Sequence, residues 1–416
     1  VRENSLWRHA DFRRLWAGDT ASQLGTFVGH TVLPLIAATV LAASPFEMGV
    51  LTAAETLAFL LLGLPAGAWV DRFRRRPLML RADFARAALL LSVPLAWWAG
   101  VLTLTQLVVV ALLTGVCTVF FDVAYQSYLP SLVGRDQLLE GNAKLQSSQS
   151  VSQVAGPGIG GVLAQLFGPA YAVLVTGLGF LTSALCLLRI RRVEPEPVPH
   201  ENPKLSAQIA EGLRFVFGNP TLRAITSATA TANLANGIFL AVEMLFLTRT
   251  LGLSAAAVGA LLAVGGAGSV LGALTSGLVN RRIGQARAIW LVPLLTWPAH
   301  LLVPLAAPGW RIAFVVVGLV LFGYGVIVYN VAQVSYRQAI CPDRLLGRMN
   351  ASVRFVVWGV LPLGSMLGGA LGEVMGIRNT LWVAGALEAL AVLWVVTSPL
   401  RRLRDIPQTA AVQAVQ

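Results

Sequence analysis

Apolar residues along this chain come in long runs. Each run extends over about 20 residues or more and is closed by Gly, Pro or a burst of charge, the length an α-helix needs to cross the hydrocarbon of a bilayer. Run length and punctuation place spans at residues 15–41, 46–70, 78–100, 104–127, 142–167 and 170–190. A second set follows at 222–248, 255–279, 288–306, 312–338, 349–374 and 380–398. The pattern predicts an all-α membrane protein with twelve transmembrane helices.

The longest interruption, 191–220, divides the spans six and six. It opens on Glu194-Pro195-Glu196-Pro197-Val198-Pro199, a stiff extended stretch. Leu205, Ile209, Leu213, Phe215 and Phe217 then alternate with polar residues, as in a short amphipathic helix on a membrane surface. The expected organisation is an N-terminal six-helix bundle (1–190), a cytoplasmic linker (191–220), a C-terminal six-helix bundle (221–400) and a cytoplasmic tail (401–416). The two bundles also look alike. Asn142-Ala143 recurs as Asn350-Ala351, Gly156 as Gly364 and Gly160-Gly161 as Gly368-Gly369, all at one offset. Asp71-Arg72 matches Asn280-Arg281 at nearly the same offset, so a duplicated unit is expected.

Composition supports lipid as the solvent: 56% of the 416 residues are hydrophobic and only 12% charged. A water-soluble surface needs more charge than that. The formal charge of +12 would suggest nucleic acid in a soluble chain. Here the basic residues sit in short loops between apolar runs, at Arg72, Arg74, Arg75 and Arg76, at Arg281, Arg282 and Arg287, and at Arg401, Arg402 and Arg404. Such loops stay on the cytoplasmic side, which predicts both termini cytoplasmic and no nucleic-acid partner. The polar start, residues 1–14, carries no cleavable signal pattern, so the first span is expected to direct insertion. Cys117, Cys186 and Cys341 have neither disulfide nor metal-ligand spacing.

Three motifs carry more. Between the second and third spans lies Gly63-Leu-Pro-Ala-Gly67-Ala-Trp-Val-Asp71-Arg72-Phe-Arg74-Arg75-Arg76. Gly63 and Gly67 would let a neighbouring helix approach, and Asp71 at a helix end can engage a cation or a helix N-terminus. The fifth span contains Gly156-Pro157-Gly158-Ile159-Gly160-Gly161, where the proline removes a backbone donor and the glycines permit close packing. Before the eleventh span come Pro342-Asp343-Arg344 and Gly347-Arg348-Met349-Asn350-Ala351, followed by Arg354, Trp358-Gly359 and Pro362-Leu363-Gly364.

On these residues the chain resembles the major facilitator superfamily. With Pro130 and Asn142-Ala143 it is similar to the bacterial exporter branch that includes macrolide efflux proteins and the enterobactin exporter. The first motif matches the superfamily signature except at Arg74, where the family usually has Gly at a tight turn. The second matches the core of the segment marking exporters and antiporters, with Ser152 in place of an upstream Gly. The resemblance implies two pseudo-symmetric six-helix bundles around a pocket lined by helices one, four, seven and ten. It also implies transport by alternating access, with no cofactor and an ion gradient, of protons, as the energy source.

Ionisable residues inside apolar spans are costly and mark function. The resemblance assigns Gly67, Asp71, Arg72, Arg75, Asp122 and Arg354 to a cytoplasmic gate that locks as the inner side closes. A carboxyl held out of water resists ionisation and can exchange a proton, so Glu243 is the leading proton site, with Asp19 and then Glu55 behind it. The Arg common within the fourth span of proton-coupled drug exporters is missing from 103–121, so coupling must rest on other groups. Glu388 falls outside the lining helices. Polar and aromatic candidates for the cavity are Gln23, Phe27, His30, Phe121, Tyr125, Gln126, Asn233, Asn236, Phe239, Tyr329, Asn330 and Gln333. Apolar walls with a few polar anchors suit a bulky amphipathic ligand.

The leading reading is a proton-antiport exporter of a small, largely hydrophobic compound such as a drug, secondary metabolite or siderophore. It would act as a monomer in the bacterial cytoplasmic membrane, with the lipid bilayer and a small-molecule cargo as its partners. An importer driven by symport keeps the fold and reverses the direction. A membrane enzyme or sensor belongs to another class, and four scattered His with no metal-ligand cluster give it little footing.

Overall fold

A computed structural model describes residues 6–63, 65–70, 73–133, 137–191 and 205–405. Among these, every regular element is helical. In chain order they are α1 (Ala10–Thr39), α2 (Pro45–Leu62), α3 (Pro65–Val70), α4 (Arg75–Trp98), α5 (Leu104–Val133), α6 (Leu138–Phe167) and α7 (Pro169–Leu188). Then come α8 (Leu205–Gly218), α9 (Pro220–Leu245), α10 (Ala255–Ile283), α11 (Gln285–Thr296), α12 (Ala313–Ile340), α13 (Asp343–Met375), α14 (Ile377–Ala391) and α15 (Leu393–Val396).

Local chemistry starts and stops these helices. Ser44 and Glu47 form a capping box: the Glu47 carboxylate accepts from Ser44 N–H at 2.7 Å, and Ser44 Oγ accepts from Glu47 N–H at 3.3 Å, with Pro45 in the first turn. The Asn219 side chain accepts from the N–H groups of Thr221 and Leu222 ahead of Pro220. Gly168 and Gly376 occupy matching places before α7 and α14, with φ of 92° and 86°. Only glycine adopts that backbone without strain.

Nine stretches of the described residues are long and apolar enough to cross a membrane. They are Pro45–Leu62, Leu104–Tyr125, Pro169–Leu188, Pro220–Thr250, Ala255–Ile283, Gln285–Leu305, Trp310–Ile340, Arg348–Met375 and Ile377–Val396. The chain is thus a multi-pass membrane protein. Apolar side chains facing away from the protein agree: Leu274 is 76% and Val374 85% exposed. Helices α1, α4 and α6 are long enough but too polar, because α4 carries Arg81, Asp83 and Arg86, and α6 carries Glu140, Lys144 and a run of Ser and Gln.

The chain forms two compact units, Val1–Asn202 with Leu253–Ala263, and Pro203–Gly252 with Val264–Gln416. In the first, α1 packs on α6 and α7. A Cβ on Gly156 would run into Phe27, one on Gly160 would press on Val28 and Val32, and one on Gly179 would meet Ala21. Gly161 faces Ala255 and Gly259 at the start of α10. In the second unit α9 packs on α13 in the same manner: Gly364 fits against Leu234 and Gly237, and Gly368 against Ile238 and Ala241. The glycines that recur at one offset therefore make equivalent helix crossings in their own units. Where small residues let backbones meet, van der Waals contact replaces the hydrophobic drive that lipid cannot supply.

Gly63 differs from its expected part. A Cβ there would strike its own turn at Phe59 O. The residue ends α2. Arg74 caps α4 with φ −64° and ψ 128°, an ordinary extended conformation that needs no glycine, so the departure from the family pattern costs nothing there.

Two departures from regular α-helix occur in the second unit. A π-helical turn, Phe246–Thr250, follows α9, and α11 gives way to a 3₁₀ segment, Trp297–Leu305. Pro298 and Pro304 lack the N–H that an α-helix would need at those positions. Such irregular turns are short-lived in ordinary helices and concentrate where a helix does something besides span.

Candidate functional site

Each unit buries one cluster of ionisable side chains. In the first, Asp83 and Arg86 lie one turn apart on α4, ion-paired, with 0% and 2% of their side chains exposed. The Arg86 guanidinium sits over the rings of Phe121 on α5 and Phe180 on α7, 4.4 and 4.2 Å from their centroids. That sandwich attracts a cation through the negative faces of both rings. Arg86 also reaches Thr118 Oγ1 at 3.4 Å. Asp19 on α1, only 4% exposed, hydrogen-bonds Gln23 and feels the charges of Asp122, Asp83 and Arg86. Tyr125 stacks on Phe121 at 6.0 Å and senses Asp19 and Asp122. Two buried carboxyls, Asp19 and Asp83, therefore share the neighbourhood of one guanidinium.

A smaller pair joins α1 to α2, where His30 Nδ1 lies 3.6 Å from Glu55 Oε2 and Phe27 packs beside the imidazole ring. Glu55 Oε1 is buried without a hydrogen-bond partner among the described residues.

In the second unit His300, on the 3₁₀ segment, pairs through Nδ1 with Glu388 Oε2 on α14. Both are essentially sealed, with 2% and 1% of their side chains exposed. Phe239 of α9 stacks on one face of the imidazole at 4.4 Å, 5° from parallel, and Phe322 of α12 lies 3.7 Å from it. Glu243, one turn beyond Phe239, is half-buried and senses His300.

The remaining candidates divide into packing and polar anchoring. Tyr329 belongs to the core with Trp297 and Ile225, and its hydroxyl pairs with Thr229 Oγ1 at 2.7 Å. Asn233 donates to Val357 O at 2.7 Å, tying α9 to α13. Gln333 donates to Asn330 Oδ1 at 3.3 Å, and its own Oε1 is buried without a partner among the described residues. Asn236 is half-buried. Arg354 is exposed on α13, and the Gln126 side chain lies outside the described residues.

Of the gate candidates, Asp71 and Arg72 also lie outside the described residues, and Gly67 sits in α3. Arg75 opens α4, and Asp122 takes part in the Asp19 cluster. Arg76 donates to Leu187 O and Leu188 O at 3.0 and 2.8 Å, capping the C-terminal end of α7.

Sequence reasoning missed Asp83, Arg86 and His300. Charges of opposite sign three apart inside a span were the available signal for the pair. The prolines around position 300 were the signal for an irregular helix.

Comparison with known proteins adds to this geometry. The family model described as transmembrane secretion effector matches residues 4–414. The chain is 28% identical over 376 residues to the multidrug efflux pump Tap of Mycolicibacterium fortuitum, covering 87% of this chain and 89% of that one. It is 30% identical over 289 residues to the enterobactin exporter EntS of Salmonella choleraesuis, covering 67% and 66%. Among solved structures, a bacterial homologue of the iron transporter ferroportin superposes with TM-score 0.75 at 15% identity, over 95% of this chain and 99% of that one. The nucleoside transporter NupG also superposes with TM-score 0.75, at 12% identity over 94% and 99%. These two show a shared fold.

Proposed function

Since the chain belongs to the transmembrane secretion effector family of major facilitator transporters, we propose that it exports a small, largely hydrophobic compound by proton antiport through alternating access. The observation that carries the coupling is a pair of sealed carboxyls, Asp19 and Asp83, beside a single sealed guanidinium, Arg86. Ions out of water are held only when paired. Arg86 neutralises one carboxylate, so the cluster favours taking up protons, and a transported proton can be taken up there or at Glu243. The names of the two sequence relatives support outward transport and a drug-like or siderophore-like cargo.

Twelve crossings follow if α1, α4 and α6 span beside the nine apolar stretches, their polar groups turned inward. Both termini then lie in the cytoplasm of a bacterium. Asp71, Arg72, Arg75 and Asp122, with Gly67 and Arg354, serve as the gate on that side. Gln23, Phe27, His30, Asn233, Asn236 and Asn330 supply polar and aromatic contacts for cargo. The protein works as a monomer and needs no cofactor.

The test is accumulation of ethidium, erythromycin and a catecholate siderophore in a pump-deficient host, then ethidium transport in everted vesicles under an imposed pH gradient. Lowered accumulation and stimulation by an acidic vesicle interior are expected. Uptake into the cells, or transport indifferent to the gradient, refutes the reading.

A further inference from the structure

We propose that His300, Glu388 and Glu243 form a buried site in which the second unit holds the coupling proton. The inference rests on the proton-antiport reading above and names where in that cycle the ion is kept. His300 and Glu388 lie on different elements, the 3₁₀ segment Trp297–Leu305 and α14, yet they pair inside the unit with almost no exposed surface. Their second polar atoms, His300 Nε2 and Glu388 Oε1, are buried with no hydrogen-bond partner among the described residues. Each orphaned buried group costs free energy, and this pair leaves one on either side. Here one nitrogen and one oxygen stay ready to accept or release a hydrogen.

The surroundings decide what these atoms can bind. From α9 the ring meets Phe239 and senses Glu243, from α12 it meets Phe322, and from α14 it meets Glu388. Tyr329 of α12 packs on Trp297 of the same 3₁₀ segment. Arg378 on α14 donates to Ala306 O and lies over Phe246, and among the described residues no Arg or Lys forms an ion pair with His300, Glu388 or Glu243. With one proton shared in the His300–Glu388 pair, an ionised Glu243 leaves one net negative charge in the cluster. A second proton brings the cluster to neutrality. Low-dielectric surroundings make that difference large, so the cluster exchanges a proton between two states rather than tolerating a fixed charge. Glu243 is less buried than the pair. The adjoining π-helical turn and the 3₁₀ segment are backbone that can rewind at low cost as the proton enters or leaves.

Two experiments on the full-length protein decide the matter. In lipid nanodiscs, nitrogen-15 spectra follow the imidazole rings; the chain has four histidines, and His300→Gln assigns the signal by its loss. Spectra taken between about pH 5 and 8 follow the proton held by the cluster, and Glu243→Gln and Glu388→Gln are each expected to alter their pH dependence. A ring that keeps one protonation state across the range in the unaltered protein overturns the proposal, whether or not any variant folds. In proteoliposomes, ethidium efflux is compared under a pH gradient and as gradient-free counterflow. The ratio of the two is expected to fall about ten-fold or more in His300→Gln and Glu388→Gln. An unaltered ratio in both overturns the proposal and leaves proton antiport standing. Ethidium transport by the unaltered protein that ignores the gradient overturns proton antiport itself.

Discussion

The two units bury charge differently, and the difference is chemical. In the first, the central cation is an arginine, which stays protonated at every physiological pH. It is held by a carboxylate and two phenyl rings, Asp83, Phe121 and Phe180. In the second, the basic partner is a histidine, which is charged only when protonated. Phe180 and Glu388 stand at the same offset that relates the repeated glycines. One unit thus places an aromatic ring against its guanidinium where the other places a carboxyl against its imidazole. The first arrangement is a permanent ion pair; the second can gain or lose its charge. A duplicated fold has kept its helix crossings and diverged at the groups those crossings bury.

This contrast predicts a graded set of effects. The largest is expected from Arg86→Met, which strands Asp83 in the core. Breaking a buried pair costs roughly 3–5 kcal/mol, read as lost yield and a lowered thermal midpoint in detergent. Asp83→Asn combined with Arg86→Met is expected to recover a good part of it, and a double variant as damaged as the single would break the claim that the pair is a matched unit. Next comes Glu243→Gln, expected to lower gradient-driven efflux by about ten-fold or more while the thermal midpoint stays close to that of the unaltered protein. Full efflux in that variant would remove Glu243 from coupling. Gly364→Ala and Gly156→Ala are expected to destabilise by about 1–3 kcal/mol each, because both meet a neighbouring helix. Similar losses would sharpen the equivalence of the two crossings, and a loss in one alone would break it.

The smallest effect concerns a part-buried pair at the start of α6, with Glu140 just ahead of the fifth predicted span. Lys144 beside Glu140 holds that carboxyl below its ordinary value of 4.5, helped by the Leu6 N–H. A lowered folded value means that the carboxylate contributes stability above pH 4.5 and loses it as pH falls through the lower value. Glu140→Gln is therefore expected to lower the thermal midpoint slightly at neutral pH, with the gap closing in acid. A gap that widens in acid would reverse the sign.

Much of this was legible in the chain. Apolar run lengths led to a helical membrane protein, and the recurring glycines led to paired crossings that the structure contains. The sites were harder. Asp83 and Arg86 fall inside the predicted span 78–100, close to Arg75, Arg76 and Arg81, and were not singled out, although they are the centre of a core. His300 lies in an apolar run whose helix was expected to be regular, and its partner Glu388 is far along the chain and was set aside. Periodicity reports which residues face inward together only while the winding is constant. Three prolines at 293, 298 and 304 change that winding. Tyr329 and Phe239 were taken for cavity walls, and the structure packs both tightly, because aromatic side chains on an inward face serve a core as readily as a pocket.

The 3₁₀ segment has one more consequence. A 3₁₀ helix rises about 2.0 Å per residue against about 1.5 Å in an α-helix. Over the nine residues of Trp297–Leu305, that stretches the element by about 4–5 Å. Rewound throughout as α-helix, the 21 residues of Gln285–Leu305 would measure about 31 Å, barely the thickness of a hydrocarbon layer of about 30 Å. Bilayer thickness acts on this stretch as a mechanical load, and acyl-chain length becomes a variable to which His300, which rides upon it, is directly exposed.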